Sequence, residues 1–123
     1  MTGPVARAPN LALTDVWRQQ GQPIYGLMQQ GSRAQIVVSS GNAEQQPQFY
    51  DANISTNARG ERVITTDLGT FTTTTGFRPH TTFAPADGST SINLERSLPH
   101  GPIRQFLERQ LGTTRAPGLQ QGR

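Results

Sequence analysis

The sequence contains no cysteine and no lysine among its 123 residues. Without cysteine the chain forms neither a disulfide nor a thiolate metal site, so a small fold depends on packing alone. Without lysine it lacks Schiff-base chemistry and the phosphate-loop lysine of nucleotide-binding enzymes. All of the positive side-chain charge therefore comes from eleven arginines, which face eight acidic residues.

Large apolar side chains are also scarce, since Leu, Ile, Val and Phe together make 25 of the 123 residues. That fraction lies near the composition of disordered chains, although the low net charge of +3 argues against complete disorder. No apolar run approaches the roughly 20 residues that span a bilayer, and no signal-peptide pattern follows Arg7. We therefore expect one small domain with a modest core, no membrane contact and no export by the usual route.

The charges are unevenly distributed along the chain. Residues 1–33 carry a net charge of +2, residues 34–94 a net charge of −2, and residues 95–123 a net charge of +3. Arginine forms planar, bidentate contacts with carboxylate and phosphate groups. Two basic ends around an acidic centre predict a small body whose ends contact an acidic partner.

Glycine, proline and glutamine interrupt the first third of the sequence and leave little room for long regular elements. We interpret residues 1–33 as an extended N-terminal arm, with one short helix allowed between Asn10 and Gly21. Its apolar anchors are Trp17 and a group around Tyr25. An arm that buries little surface is ordered only by contact with another molecule.

From residue 34 onward, β-branched residues, alternation and turn sequences predict a mainly β fold. The spacing of the strands is typical of a small antiparallel β-sandwich or barrel. Residues 57–60 give the clearest hairpin, because Asn and Gly are residues that tight turns favour. The predicted strands are 35–39, 48–55, 61–67, 70–77, 80–84 and 90–95.

A short C-terminal helix is predicted over about residues 102–111, where the β-rich domain of residues 34–111 ends. Gly112 is the expected stop, and Arg104 and Glu108 have the i, i+4 spacing of an ion pair. Residues 112–123 show no periodic pattern, and we interpret them as a flexible C-terminal tail. The apolar stripe of the helix consists of Ile103, Phe106, Leu107 and Leu111.

No residue pattern in the sequence points to catalysis. His80 and His100 each follow a proline, and neither has an acidic residue or a cysteine at ligand spacing beside it. The sequence has no nucleophile elbow, no Gly-rich phosphate loop and no His-Glu-x-x-His motif. We therefore predict no catalytic, cofactor-binding or metal-binding residues. We interpret four acidic residues near arginines as solvated or paired surface charges: Asp15, Glu61, Glu95 and Glu108.

The sequence predicts a non-enzymatic structural subunit of a large assembly. A small β body with basic arms suits a minor capsid, cement or connector protein of a phage or virus particle, located in the virion or otherwise in the cytoplasm. Its partners would be protein subunits of the major capsid type, with several copies in one assembly. The predicted partner-contact residues are Arg7, Trp17, Arg18, Tyr25, Arg33, Arg115 and Arg123.

Two alternatives stay open at this point. An isoelectric point of about 10.6 and the basic ends also suit a small nucleic-acid-binding or ribonucleoprotein-binding protein. The arginines are dispersed, however, and aromatic residues do not alternate with them as a stacking surface requires. Trp17 can also fold back on the β body as an intramolecular anchor instead of contacting a partner.

Overall fold

The computed structural model describes residues 4–77 and 79–112, and this part of the chain forms nine strands and one helix. The strands are β1 (Ala12–Arg18), β2 (Ile24–Gln30), β3 (Arg33–Ser39), β4 (Gln48–Asp51), β5 (Asn53–Thr56), β6 (Arg62–Thr65), β7 (Gly69–Thr73), β8 (Thr81–Pro85) and β9 (Ile92–Arg96). The helix, α1, is Pro102–Leu111.

The nine strands form one sheet in the order β4-β3-β2-β1-β9-β8-β7-β6-β5, and all of its ladders are antiparallel. The edge strands β4 and β5 are separated only by Ala52, whose N–H donates to the Ala34 carbonyl at 3.0 Å. Contacts between β3 and β5 bring the two edges together. The sheet is thus a nearly closed, barrel-like structure. The mainly β fold class is confirmed, with the barrel as its form.

The interior of the barrel is filled by side chains from alternate strand positions. The Trp17 ring stacks on Phe71 with centroids 5.7 Å apart, and Phe71 stacks on Phe83 at 4.5 Å. The Tyr25 ring lies 5.3 Å from the ring of Phe71 and 5.2 Å from that of Phe83. All four rings are buried, so this aromatic cluster is the centre of the barrel core. Aliphatic side chains complete it: Leu27, Ile36, Ile64 and Leu94.

A second core lies on the outer face of β1, β2 and β3, where α1 covers the sheet. Leu107 and Leu111 of the helix are buried against this face. Strands β1 to β3 are therefore buried on both faces, toward the barrel interior and toward α1. The strand residues of the outer core are Leu13, Val16, Ile24, Met28 and Val37.

The segment before β1 closes one side of the outer core. Ala8 and Leu11 are buried in it. Gln35 holds this segment in place, because its Oε1 accepts from the Ala8 N–H at 2.9 Å and its Nε2 donates to the Ala6 carbonyl at 3.0 Å. The N-terminal segment thus packs against its own domain.

The extended arm expected over residues 1–33 differs from the structure, because residues 12–30 contain β1 and β2. Strand β1 also replaces the short helix allowed by the sequence. Leu13 pairs with Met28 while Asp15 pairs with Leu27, so Thr14 is the extra residue of a β-bulge. The bulge shifts the inward-facing positions of β1 by one residue, so its apolar residues are spaced as they would be along one side of a helix. The sheet begins ahead of the expected boundary at residue 34.

The predicted strand 48–55 is divided at Ala52 into β4 and β5, which lie at the two edges of the sheet. The remaining predicted strands overlap β3 and β6 to β9, although the predicted strand 70–77 already ends at Thr73. The hairpin at residues 57–60 joins β5 to β6, and Gly60 has a φ of 82°. Helix α1 has the predicted bounds, and Gly112 ends it with a φ of 70°. Of the predicted tail, residues 113–123 lie outside the described residues. Within the described part of the chain, no helix has the length and apolar character to cross a membrane.

Candidate functional site

Asp15 brings together two arginines from distant parts of the chain at one mouth of the barrel. An Arg62 nitrogen donates to its Oδ2 at 3.0 Å, and an Arg96 nitrogen lies 3.3 Å from its Oδ1. The Asp15 side chain is 12% exposed, whereas those of Arg62 and Arg96 are 35% and 66% exposed. Each guanidinium carries five N–H donors, so both arginines keep donors for further groups.

The local fold explains why these residues meet. The bulge at Thr14 turns Asp15 to the inward face, beside Trp17. Arg62 is the first residue of β6 and Arg96 the last residue of β9. Because the strands alternate in direction, these two positions lie at the same end of the barrel.

A cavity of about 310 Å³ lies at this ion-pair network, and we call it the mouth cavity. The hydroxyls of Thr73 and Thr81 are hydrogen-bonded 2.9 Å apart on its wall. Glu95 and His80 also line it. The cavity thus combines arginine donors with hydroxyl, imidazole and carboxylate groups.

A larger cavity of about 510 Å³ lies beside the connection from β9 to α1, and we call it the Leu98 cleft. Arg96 lines both this cleft and the mouth cavity. The Nε of Arg18 is buried and finds no hydrogen-bond partner among the described residues. The lining residues are Arg18, Gln20, Glu95, Arg96, Ser97, Leu98, Gly101, Pro102 and Ile103.

Arg104 of α1 stabilises the neighbouring part of β1. Its guanidinium donates to the Leu13 carbonyl at 2.7 Å and to the Thr14 carbonyl at 3.1 Å. It also donates to Glu108 at 3.0 Å, which confirms the predicted i, i+4 pair. The Ser97 N–H after β9 still donates to the Val16 carbonyl at 2.7 Å, but no strand pairs with this edge of β1 at Leu13 and Thr14, so Arg104 supplies the donors there.

Two large hydrophobic side chains are strongly exposed in the described part of the chain. Phe77 is 95% exposed and Leu98 is 73% exposed. Phe77 belongs to the connection between β7 and β8, and Leu98 to the connection between β9 and α1. Both connections leave the sheet at the end where the mouth cavity lies.

The structure corrects the predicted roles of Trp17 and Tyr25. Trp17 is 1% exposed and Tyr25 is 5% exposed, because both rings pack in the aromatic cluster. Neither offers a surface to a partner. Trp17 is the intramolecular anchor that the sequence left open as an alternative.

The predicted partner-contact arginines are dispersed over the surface. Arg7 is exposed, donates to the Leu111 carbonyl at 2.7 Å and lies 5.8 Å from the centre of the Phe49 ring. Arg33 is exposed at the start of β3, and Arg18 lines the Leu98 cleft. Their contacts with a partner stay predictions. Arg115 and Arg123 lie outside the described residues.

Among the residues that the structure describes, two groups have altered proton affinities. Burial, with a smaller contribution from Tyr50, raises the pKa of the Tyr25 hydroxyl. Hydrogen bonds from the Ser89 side chain and backbone lower the pKa of the exposed Asp87. Neither residue lines the mouth cavity or the Leu98 cleft. Within residues 4–77 and 79–112, no three His, Asp or Glu side chains are grouped as a metal site.

The sequence gives little sign of these sites. It marks Arg62 and Arg96 only as neighbours of acidic residues, and it suggests no special place for Phe77 or Leu98. Asp15 lies near Arg18 in sequence, yet it pairs with Arg62 and Arg96. Only the register of the strands shows that these residues pair, and the register is set by the whole sheet and not by the local sequence.

No family model matches the chain, and neither the curated proteins nor the solved structures contain a match. The interpretation of the site rests on its geometry.

Proposed function

We propose that this protein is a non-enzymatic structural subunit of a large assembly. Its setting would be a minor capsid, cement or connector position in a phage or virus particle, next to major capsid-type subunits. The observation that carries the proposal is the exposure of Phe77 and Leu98 at the barrel end that also presents Arg62 and Arg96.

Aromatic residues and arginine are enriched in the central parts of protein interfaces. An exposed phenyl ring loses contact with water when a partner covers it, which favours association. The filled barrel supports the same proposal, because a rigid body presents its loops in fixed positions. The contact surface is then this end of the barrel rather than an N-terminal arm.

Nucleic-acid binding is the second candidate, favoured by the arginines that line adjoining cavities. Arg96 lines the mouth cavity, the Leu98 cleft and a third cavity that also contains Arg104 and Arg109. Acidic residues line the same cavities, however: Asp15, Glu95 and Glu108. They would repel a phosphate backbone, so a protein partner suits this surface better.

Sedimentation tests the proposal. A tagged full-length chain, expressed in the cells that produce it, is separated on a density gradient with and without nuclease treatment. We expect the chain in a fast-sedimenting particle that survives nuclease. A chain that sediments only as a free small protein contradicts the proposal, and a complex that nuclease dissolves favours the nucleic-acid candidate.

Matched variants make the test specific. The double variant Phe77→Asp with Leu98→Asp places charge on the exposed apolar side chains and should remove the chain from the particle. Thr90→Asp adds a charge at another exposed position, in the connection from β8 to β9, and should leave incorporation unchanged. Equal incorporation of all variants would contradict the proposed contact surface.

A further inference from the structure

We infer that the Leu98 cleft is the docking site for a segment of a partner protein in which an apolar side chain lies beside a carboxylate. This inference rests on the proposed function and adds the chemistry of the partner. Of the cavities described above, the Leu98 cleft combines a strongly exposed apolar side chain with two arginines.

The apolar part of the cleft fits a side chain of the partner. Leu98, Pro102 and Ile103 line it, and Leu98 is 73% exposed in the free chain. A volume of about 510 Å³ lies in the range of ligand-binding clefts and accommodates a short peptide segment. Covering Leu98 with an apolar side chain removes both from water, which favours binding.

The charged wall of the cleft fits a carboxylate. Arg18 and Arg96 face one acidic residue, Glu95, which leaves a net positive charge of one. Asp15 holds the Arg96 guanidinium through a contact of 3.3 Å, so this arginine is positioned before a partner arrives. Arginine binds carboxylates in a bidentate, planar geometry.

A peptide segment suits the cleft better than a nucleic acid does. A phosphate backbone supplies no apolar side chain to cover Leu98, and its repeated charges exceed the single net positive charge of the cleft. An acidic and apolar peptide satisfies both walls at once. The arginines of the cleft favour a peptide with a negative charge, and its apolar part favours a peptide with an apolar side chain.

Selection from a random peptide library against the immobilised full-length chain tests this inference. We expect the enriched peptides to carry Asp or Glu next to a large apolar residue. Changing that Asp or Glu to its amide in a selected peptide should weaken binding about tenfold. Enrichment of basic peptides, or of apolar peptides without a carboxylate, would overturn the inference.

Variants of the chain locate the binding site. Leu98→Ser should weaken the selected peptides about tenfold, and Arg18→Gln should weaken them to a similar degree. Arg59→Gln removes an exposed arginine outside the cleft, and Ala86→Ser changes an exposed apolar residue outside it, so both should bind as the wild type does. Because Leu98 is exposed, its variant should unfold at the same temperature as the wild type. Peptides that bind Leu98→Ser as tightly as the wild type overturn the docking site.

This experiment can fail separately from the proposed function. It measures the isolated chain with synthetic peptides, whereas gradient sedimentation measures incorporation into a particle. If Leu98→Ser alone incorporates normally while the wild type sediments in the particle, the assembly role stands and the Leu98 cleft is overturned. If the isolated chain self-associates and Leu98→Ser abolishes this, the occupant is a second copy, which overturns a distinct partner.

Discussion

Gly26 of β2 lies against Leu107 of α1 so closely that a Cβ added to Gly26 would be 2.8 Å from the Leu107 Cδ2. The side chains of Leu13 and Val37 lie only 2.9 Å from the same point. Such separations are shorter than normal carbon contacts, so a side chain at this position fits only if these methyl groups move. The helix approaches the sheet across a glycine, and this contact closes the outer core.

We expect Gly26→Ala to lower the free energy of unfolding by about 1–3 kcal/mol, because the added methyl overpacks the outer core. Denaturation in urea measures this change. In the Gly26→Ala background, Leu107→Ala should cost less than it does in the wild type, since it removes the clashing group. Gly101→Ala is the control for overpacking, because its nearest contact would be 3.4 Å away; since Gly101 is the N-cap of α1, where alanine is less favourable than glycine, we expect a loss of up to about 1 kcal/mol, smaller than that of Gly26→Ala. Strictly additive effects of the two core changes would contradict this account.

Replacing Asp15 by Asn should lower the free energy of unfolding by about 1–3 kcal/mol, since it removes the charged acceptor of two arginines at a nearly buried position. A double-mutant cycle with Arg62→Gln isolates the Asp15–Arg62 interaction. Asp67→Asn removes an exposed carboxylate and serves as the control. If Asp15→Asn and Asp67→Asn have the same effect, the ion-pair network does not stabilise the mouth of the barrel.

Arg104→Met keeps the apolar stem of the side chain but leaves the Leu13 and Thr14 carbonyls without their guanidinium donor. We expect a loss of about 1–3 kcal/mol in the free energy of unfolding. Hydrogen exchange should also show faster opening of β1 near these residues. Arg109→Met changes an exposed arginine on the same helix and should alter neither quantity measurably. Unchanged exchange in β1 of Arg104→Met would show that water replaces the guanidinium without loss.

Stability should fall at alkaline pH because of Tyr25. Its pKa is raised in the folded state, so its stabilising contribution is present in full below the unfolded pKa of about 10. The contribution is lost as the pH rises from that value through the raised folded pKa, because the unfolded tyrosine then releases its proton first. Urea denaturation at a series of alkaline pH values measures the decline. Tyr25→Phe should make the decline shallower, and an identical slope in this variant would contradict the assignment.

The sequence predicts the strands that have one polar face, but of the three strands buried on both faces it predicts only β3 and misses β1 and β2. In β7 and β8, buried Phe71 and Phe83 alternate with threonines, which gives the period-two signal of a strand. Strand β2 is buried on both faces, so Ile24, Tyr25 and Leu27 follow one another without alternation. The helix α1 that covers its outer face lies more than seventy residues away, and no local sequence pattern indicates that a helix packs there.

The candidate site depends on contacts that a single sequence does not specify. Asp15 and Arg62 are 47 residues apart, and they meet only because a bulge at Thr14 turns Asp15 inward. Arg18 and Arg96 of the site belong to the basic ends that the charge counts predict, but Arg62 belongs to the acidic centre, and the three lie on different strands. Local chemistry identified the residue types of an interface, and strand register decided which of them lie together.

Because β1 to β3 are buried on both faces, their outer face stays uncovered during synthesis until α1 is available. The three strands leave the exit tunnel early, with Leu13, Met28 and Val37 already forming an apolar outer surface. This surface is covered only after Leu107 and Leu111 have been synthesised. A nascent chain that has formed β1 to β3 therefore exposes an aggregation-prone face until α1 has left the tunnel and packs on it.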